Sequence, residues 1–350
     1  MTSRERVLRA VRREETDRVP VDVELTNEMQ GILLSHFRLA DAEDLFRLFG
    51  RDFRRVYARY MGPQRHAPNG DPADVFGVAS GGPTYADTLG YRPLAHAESV
   101  AEVERYEWPD PDWWDYSTIQ EQCDRHADFA VTGGEWSPFF CQACNMVGIG
   151  RFLEMMLEAP DVAEAILSHI ADYYVTCSRR HFEAGRGKID IFFVGDDYGG
   201  KNGLLMSPAL WRKLIRPQLA RLYALADEYD VLMMQHSCGS IRPVIGDMLE
   251  LGLNILDPVQ TAAADMEPEG LKREFGDVLT FHGGVNTEGT LPFGTPDEVY
   301  EETRHLMSVL GGGGGGYIVC ASQYLQHDIP VENVIAMYRA AGSCDPGLRA

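Results

Sequence analysis

Short, almost continuously apolar runs alternate along this chain with longer stretches in which apolar residues recur every three or four positions. The short runs read as strands buried on both faces, since a half-exposed strand would alternate apolar and polar residues. Eight are found, at 18–25, 53–60, 128–132, 189–194, 231–235, 254–256, 278–281 and 317–320. Helical patterns lie between them. Asp161 is placed to cap one that runs through Val162, Ala165, Ile166, Ile170 and Tyr174 and closes at Gly185. Ser207-Pro208 and Thr295-Pro296 each set a hydroxyl cap before a proline, whose missing N–H costs nothing at the first helical position. Leu210, Leu214, Leu219 and Leu222 continue the first of these to about 230, and Val299, Leu306 and Leu310 continue the second.

Eight strands alternating with helices predict one (β/α)8 TIM barrel over 1–350. A doubly wound open sheet is the weaker expectation, because no Gly-x-Gly-x-x-Gly follows the first strand. Residues 61–127, with prolines from Pro63 to Pro111 and Trp108, Trp113 and Trp114, break the pattern. They read as an irregular insertion after the second strand, a lid over the top of the barrel. The glycine run 311–316 precedes the last strand and reads as a connector on the bottom face. Gly283-Gly284 follows the seventh strand, where backbone amides could receive an anion.

Composition narrows the function classes. The chain has 350 residues and a net charge of −21, from 53 acidic and 32 basic residues. Such an excess argues against nucleic acid and anionic membrane surfaces as partners. No signal peptide and no apolar run near ~20 residues is found, so a cytoplasmic location is expected. Seven cysteines at irregular spacings argue for free thiols rather than disulfides.

The chemistry concentrates at the predicted strand ends. Residues two apart on a strand project to the same side, so His236 and Cys238 converge where the fifth strand gives way to a loop. Imidazole and thiolate together suit a borderline metal such as zinc. Glu135, Asp196 and Asp197, Asp257 and Gln260, His282 and Asn286, and Gln323 follow other strands. A barrel gathers such ends at one face. Cys141 and Cys144 have the spacing of a metal or redox pair, but they precede an apolar helix, and burial is the favoured reading. Asp197 fits a helix-capping carboxylate, His282 is as readily a structural histidine as a pocket residue, and His327 is expected on the surface.

At these residues the chain resembles the uroporphyrinogen decarboxylase-like superfamily, and within it the cobalamin-dependent and coenzyme M methyltransferases. The resemblance rests on Thr2 to Val7, Asp17-Arg18-Val19-Pro20, Gly195 to Tyr198, Gly203 to Pro208, His236 to Gly239, Gly316-Tyr317-Ile318 and Asp328 to Val334. It implies a (β/α)8 barrel with His236 and Cys238 as zinc ligands. The third ligand in such methyltransferases is a Cys at the position here held by Gln323, and Cys320 stands three residues earlier. The arginines with which the decarboxylases grip substrate carboxylates are replaced here by Glu24-Leu25-Thr26-Asn27-Glu28-Met29-Gln30.

The resulting expectation is a zinc-dependent methyltransferase that moves methyl between a small substrate and a corrinoid protein. His236, Cys238 and Cys320 would hold the metal. Asp196 and Glu135 would act in catalysis, and Asp197, Gln260, His282, Asn286 and Gln323 would contact substrate. A homodimer is compatible with this reading. Metal-free decarboxylation of a tetrapyrrole and non-catalytic corrinoid binding are the alternatives.

Overall fold

Seven of the expected strands form one parallel sheet in the computed structural model, which describes residues 1–79 and 90–344. In chain order these are β1 (Phe53–Arg55), β2 (Ala130–Gly133), β3 (Ile191–Gly195), β4 (Leu232–His236), β5 (Ile255–Asp257), β6 (Thr280–His282) and β7 (Tyr317–Ile318). Each pairs in parallel with the next in sequence.

The expected first strand, 18–25, is the exception, because it makes isolated bridges instead of a ladder. Val21 bridges Val319 and Leu25 bridges Leu325. Asp22 N–H donates to the Val319 carbonyl at 2.9 Å, and Asp52 N–H donates to the Val21 carbonyl at 3.0 Å, so the segment joins the β7 and β1 edges. Pro20 has no N–H to extend the ladder.

Side chains of the strands divide between two cores, as the two-residue period requires. Phe53, Ala130, Ile191, Phe193, Met234, Ile255 and Ile318 meet Val7 and Val11 of helix α1 (Ser3–Val11) in one buried cluster. The alternate residues, among them Val131, Phe192, Val194, Met233, Leu256 and Phe281, pack in the larger cluster with the helices. The N–H of Arg4 bonds the Asp128 carbonyl and the N–H of Gly316 bonds that of Ala10, so α1 covers the end where strands begin. The glycine run therefore lies on the face opposite the strand ends.

Helix starts follow the capping chemistry with one correction. Ser207 and Thr295 accept N–H bonds from Leu210 and Glu298 as N-caps. Asp161 is no cap: its helix starts at Pro160, and Asp161 lies in the first turn, where its charge suits the positive end of the dipole.

Between β1 and β2 the chain makes two short antiparallel ladders and the helices Val100–Glu104 and Ile119–Arg125. This segment rests on the long helix Pro160–Gly185 through Phe76 against Tyr173 and Tyr174, and through Trp114 Nε1–H on Tyr173 Oη at 2.7 Å. Of the prolines between Pro63 and Pro111, Pro83 lies outside the described residues. Among those described, no helix is long and apolar enough to cross a membrane.

Candidate metal centre

β4 ends at His236, and the next two residues turn Cys238 back towards the ring. The thiol Sγ lies 3.3 Å from His236 Nε2, as the spacing of two predicts. Gly239 makes the turn at φ +79° and its N–H donates to Gln260 Oε1 at 2.6 Å. A Cβ at Gly239 would come within 2.5 Å of the Gly199 backbone, so the turn admits only glycine. Asp197 follows β3. Its Oδ1 lies 3.5 Å from His236 Nε2 and accepts the Cys238 N–H at 2.8 Å. One nitrogen, one sulfur and one carboxylate oxygen thus fall within 4.8 Å of one another.

Behind them runs a line of buried charges. Asp257, at the end of β5, takes His236 Nδ1 on Oδ2 at 2.6 Å and His282 Nδ1 on Oδ1 at 2.5 Å. His282 Nε2 faces Asp22 at 3.4 Å, and Arg51 joins Asp22 and Glu24, each at 2.6 Å. Burial disfavours the Asp257 anion, but the two imidazoles outweigh it and hold the carboxyl below its usual range. Burial likewise works against His282 as a cation, yet Asp257 and Asp22 carry it up to about 10. With Nδ1 fixed by a carboxylate, His236 is left Nε2 for a metal, the usual arrangement of a ligating histidine.

Asp196 and Asp197 face different ways, and the capping role falls to the first of them. Asp196 receives the N–H of Phe140 at 2.6 Å and of Cys141 at 2.7 Å, at the start of helix α2 (Phe139–Val147). Burial pushes its carboxyl up to about 7 in spite of those bonds. Asp197, expected as a cap, lies in the donor set instead. Cys144 is buried in the core, while Cys141 reaches the cavity with Sγ 3.4 Å from the Asp197 N–H.

The donor set opens on a cavity of about 400 Å³. Glu24, Asp196, Asp197 and Asp257 line it, with Trp136, Phe193 and Tyr324 as its aromatic wall and, among the described residues, no Lys or Arg. Trp136 lies 5.2 Å from the His236 ring. Gln323 lines the cavity and donates to Cys238 Sγ at 2.7 Å. Cys320 also faces the cavity but is not one of the three gathered donors.

Other expected site residues stand further back. Gln260 braces the turn after Cys238, and His282 is buried behind Asp257. Asn286 accepts the Glu288 N–H within its own loop. Glu135 is turned to His181 at 3.3 Å, outside the cavity lining. Gly283 N–H bonds the Ile318 carbonyl, so it is not available to an anion. His327 is exposed. Asp257 stands at a strand end, as its place in the sequence predicts, but its hold on both imidazoles is visible only in the fold, and nothing in the sequence marks Glu24 or Trp136 as cavity residues.

The profile of the family described as uroporphyrinogen decarboxylase (URO-D) matches residues 91–343. A curated protein of Methanosarcina mazei, methylated-thiol–coenzyme M methyltransferase, is 23% identical over 202 residues, which are 57% of this chain and 50% of that protein. The chain thus spans about half the length of that relative. A solved methyltransferase structure from Methanosarcina mazei superposes with a TM-score of 0.71 at 19% identity, covering 98% of both chains.

Proposed function

The chain belongs to the uroporphyrinogen decarboxylase family, and on that premise we propose that it is a methyltransferase acting on a small thiol or hydroxyl compound at the cavity above β4. The observation that carries this is the meeting of Cys238, His236 and Asp197, with His236 held from behind by Asp257. The donors fit zinc: imidazole, thiolate and carboxylate are its ligand types, whereas calcium and magnesium prefer oxygen alone. Bound there, zinc supplies a Lewis acid that lowers the pKa of a thiol or hydroxyl. Asp197 takes the third place, and Cys320 stays a buried thiol of the wall.

The remaining residues shape the reaction. Gln323 gives the Cys238 sulfur an N–H, which eases its charge in a buried site. Asp257 fixes the tautomer of His236. Trp136, Phe193 and Tyr324 exclude water from a methyl group in transit. A corrinoid protein at the strand-end face would supply or receive the methyl group. The cavity opposes a polycarboxylate porphyrinogen, because four carboxylates and, among the described residues, no guanidinium of its lining would meet its acid groups.

The test is metal content and methyl exchange between methylcobalamin and small thiols, with wild-type protein beside Cys238→Ser. Zinc and methyl transfer in the wild type, both lost in the variant, are expected. Transfer by a metal-free variant would overturn the proposal.

A further inference from the structure

Four carboxylates line the cavity, and three have their oxygens engaged or stand in the donor set. Asp196 has an N–H on each oxygen. Asp257 has an imidazole on each. Asp197 belongs to the donor set. Glu24 differs. Arg51 holds Oε1 at 2.6 Å, and among the described residues Oε2 has no hydrogen-bond partner. The side chain is 26% exposed, and Glu24 lines the cavity above the donor set. Glu24 also lines a second cavity of about 190 Å³, which shares Phe193 and Tyr324 with the first.

We propose that Glu24 is a catalytic proton acceptor, taking the proton of the substrate thiol or hydroxyl as that group becomes the anion that accepts methyl. The assignment rests on the methyl-transfer reading above. The S–H or O–H bond breaks, its electron pair stays on the substrate atom, and a new O–H bond forms at Glu24 Oε2. No oxidant or reductant is consumed.

The surroundings suit the task. Burial raises the Glu24 carboxyl to about 7; Arg51 opposes that rise, Asp22 and Asp257 add to it, and His282 opposes it. A base poised near neutrality both receives and releases a proton at working pH. Cys320 and Tyr324, which also line that cavity, are pushed up by burial and do not compete for the proton. Arg51 fixes the carboxylate in place from the opposite side, as a positioning residue.

Methyl transfer from methylcobalamin to 2-mercaptoethanol on zinc-loaded protein is followed between pH 5.5 and 9, with wild-type protein beside Glu24→Gln. The wild-type rate is expected to rise with pH through about 7 as Glu24 loses its proton, and Glu24→Gln to lose that limb and fall about 10²-fold or more. A variant that keeps the wild-type rate and limb would overturn the assignment alone. No transfer by the wild type at any pH would overturn the methyl-transfer reading and the assignment with it. Infrared difference spectra of wild-type protein labelled with 13C-glutamate need neither a variant nor turnover: a protonated glutamate carboxyl band must be lost as pH rises through about 7, and its absence refutes the role.

Discussion

Asp257 Oδ2 lies 2.6 Å from His236 Nδ1, and its other oxygen holds His282. One carboxylate at the end of β5 thereby orients the imidazole at the end of β4 and ties it to the barrel interior. Asp257→Asn keeps the volume but loses the charge. Metal affinity is expected to fall about 10–100-fold, read by competition with a chromophoric chelator.

Asp196 serves a helix where Asp197 serves the donor set. Asp196→Ala leaves the N–H groups of Phe140 and Cys141 without their acceptor at the start of α2. A loss of roughly 1–3 kcal/mol for such buried donors is expected, seen as a lower urea midpoint at unchanged slope. Bound zinc should remain.

His282 sets a pH dependence. Its folded-state pKa is raised to about 10, against an ordinary value of about 6.5. The protonated ring therefore contributes stability that is fully present below the ordinary value and lost as pH rises from there through about 10. Urea unfolding between pH 6 and 10 should show that decline, and His282→Gln should flatten it.

Gly195, the last residue of β3, lies under Trp136. A Cβ there would come within 1.9 Å of the indole, so Gly195→Ala must displace the ring that covers His236. The cost is expected at about 1–3 kcal/mol, with a changed near-ultraviolet tryptophan signal. An unchanged signal at full stability would contradict this packing.

Much of the barrel was legible because buried parallel strands leave uninterrupted apolar runs, and seven of the eight runs pair as expected. His236 and Cys238 were legible because a spacing of two on a strand is a statement about direction. The division between Asp196 and Asp197 was not. Alternation says that neighbours part, but the partner of Asp196 is a helix start more than fifty residues earlier in the chain. Glu24 escaped notice for a related reason. Its residue type showed only a missing arginine, whereas its place beside Arg51 and Asp22 follows from how the 20–25 segment closes the barrel. Cys320 looked like a ligand by proximity in sequence to Gln323, yet the amide, not the thiol, reaches Cys238.

The proposed reaction depends on a metal held by Asp197, His236 and Cys238. Its direct measurement is zinc per chain in anaerobically purified wild type, Cys238→Ser, Asp197→Asn and Cys320→Ser. About one zinc is expected in the wild type, retained in Cys320→Ser, weakened in Asp197→Asn and lost in Cys238→Ser. A wild type without metal, or a Cys238→Ser variant that keeps it, would contradict this donor set.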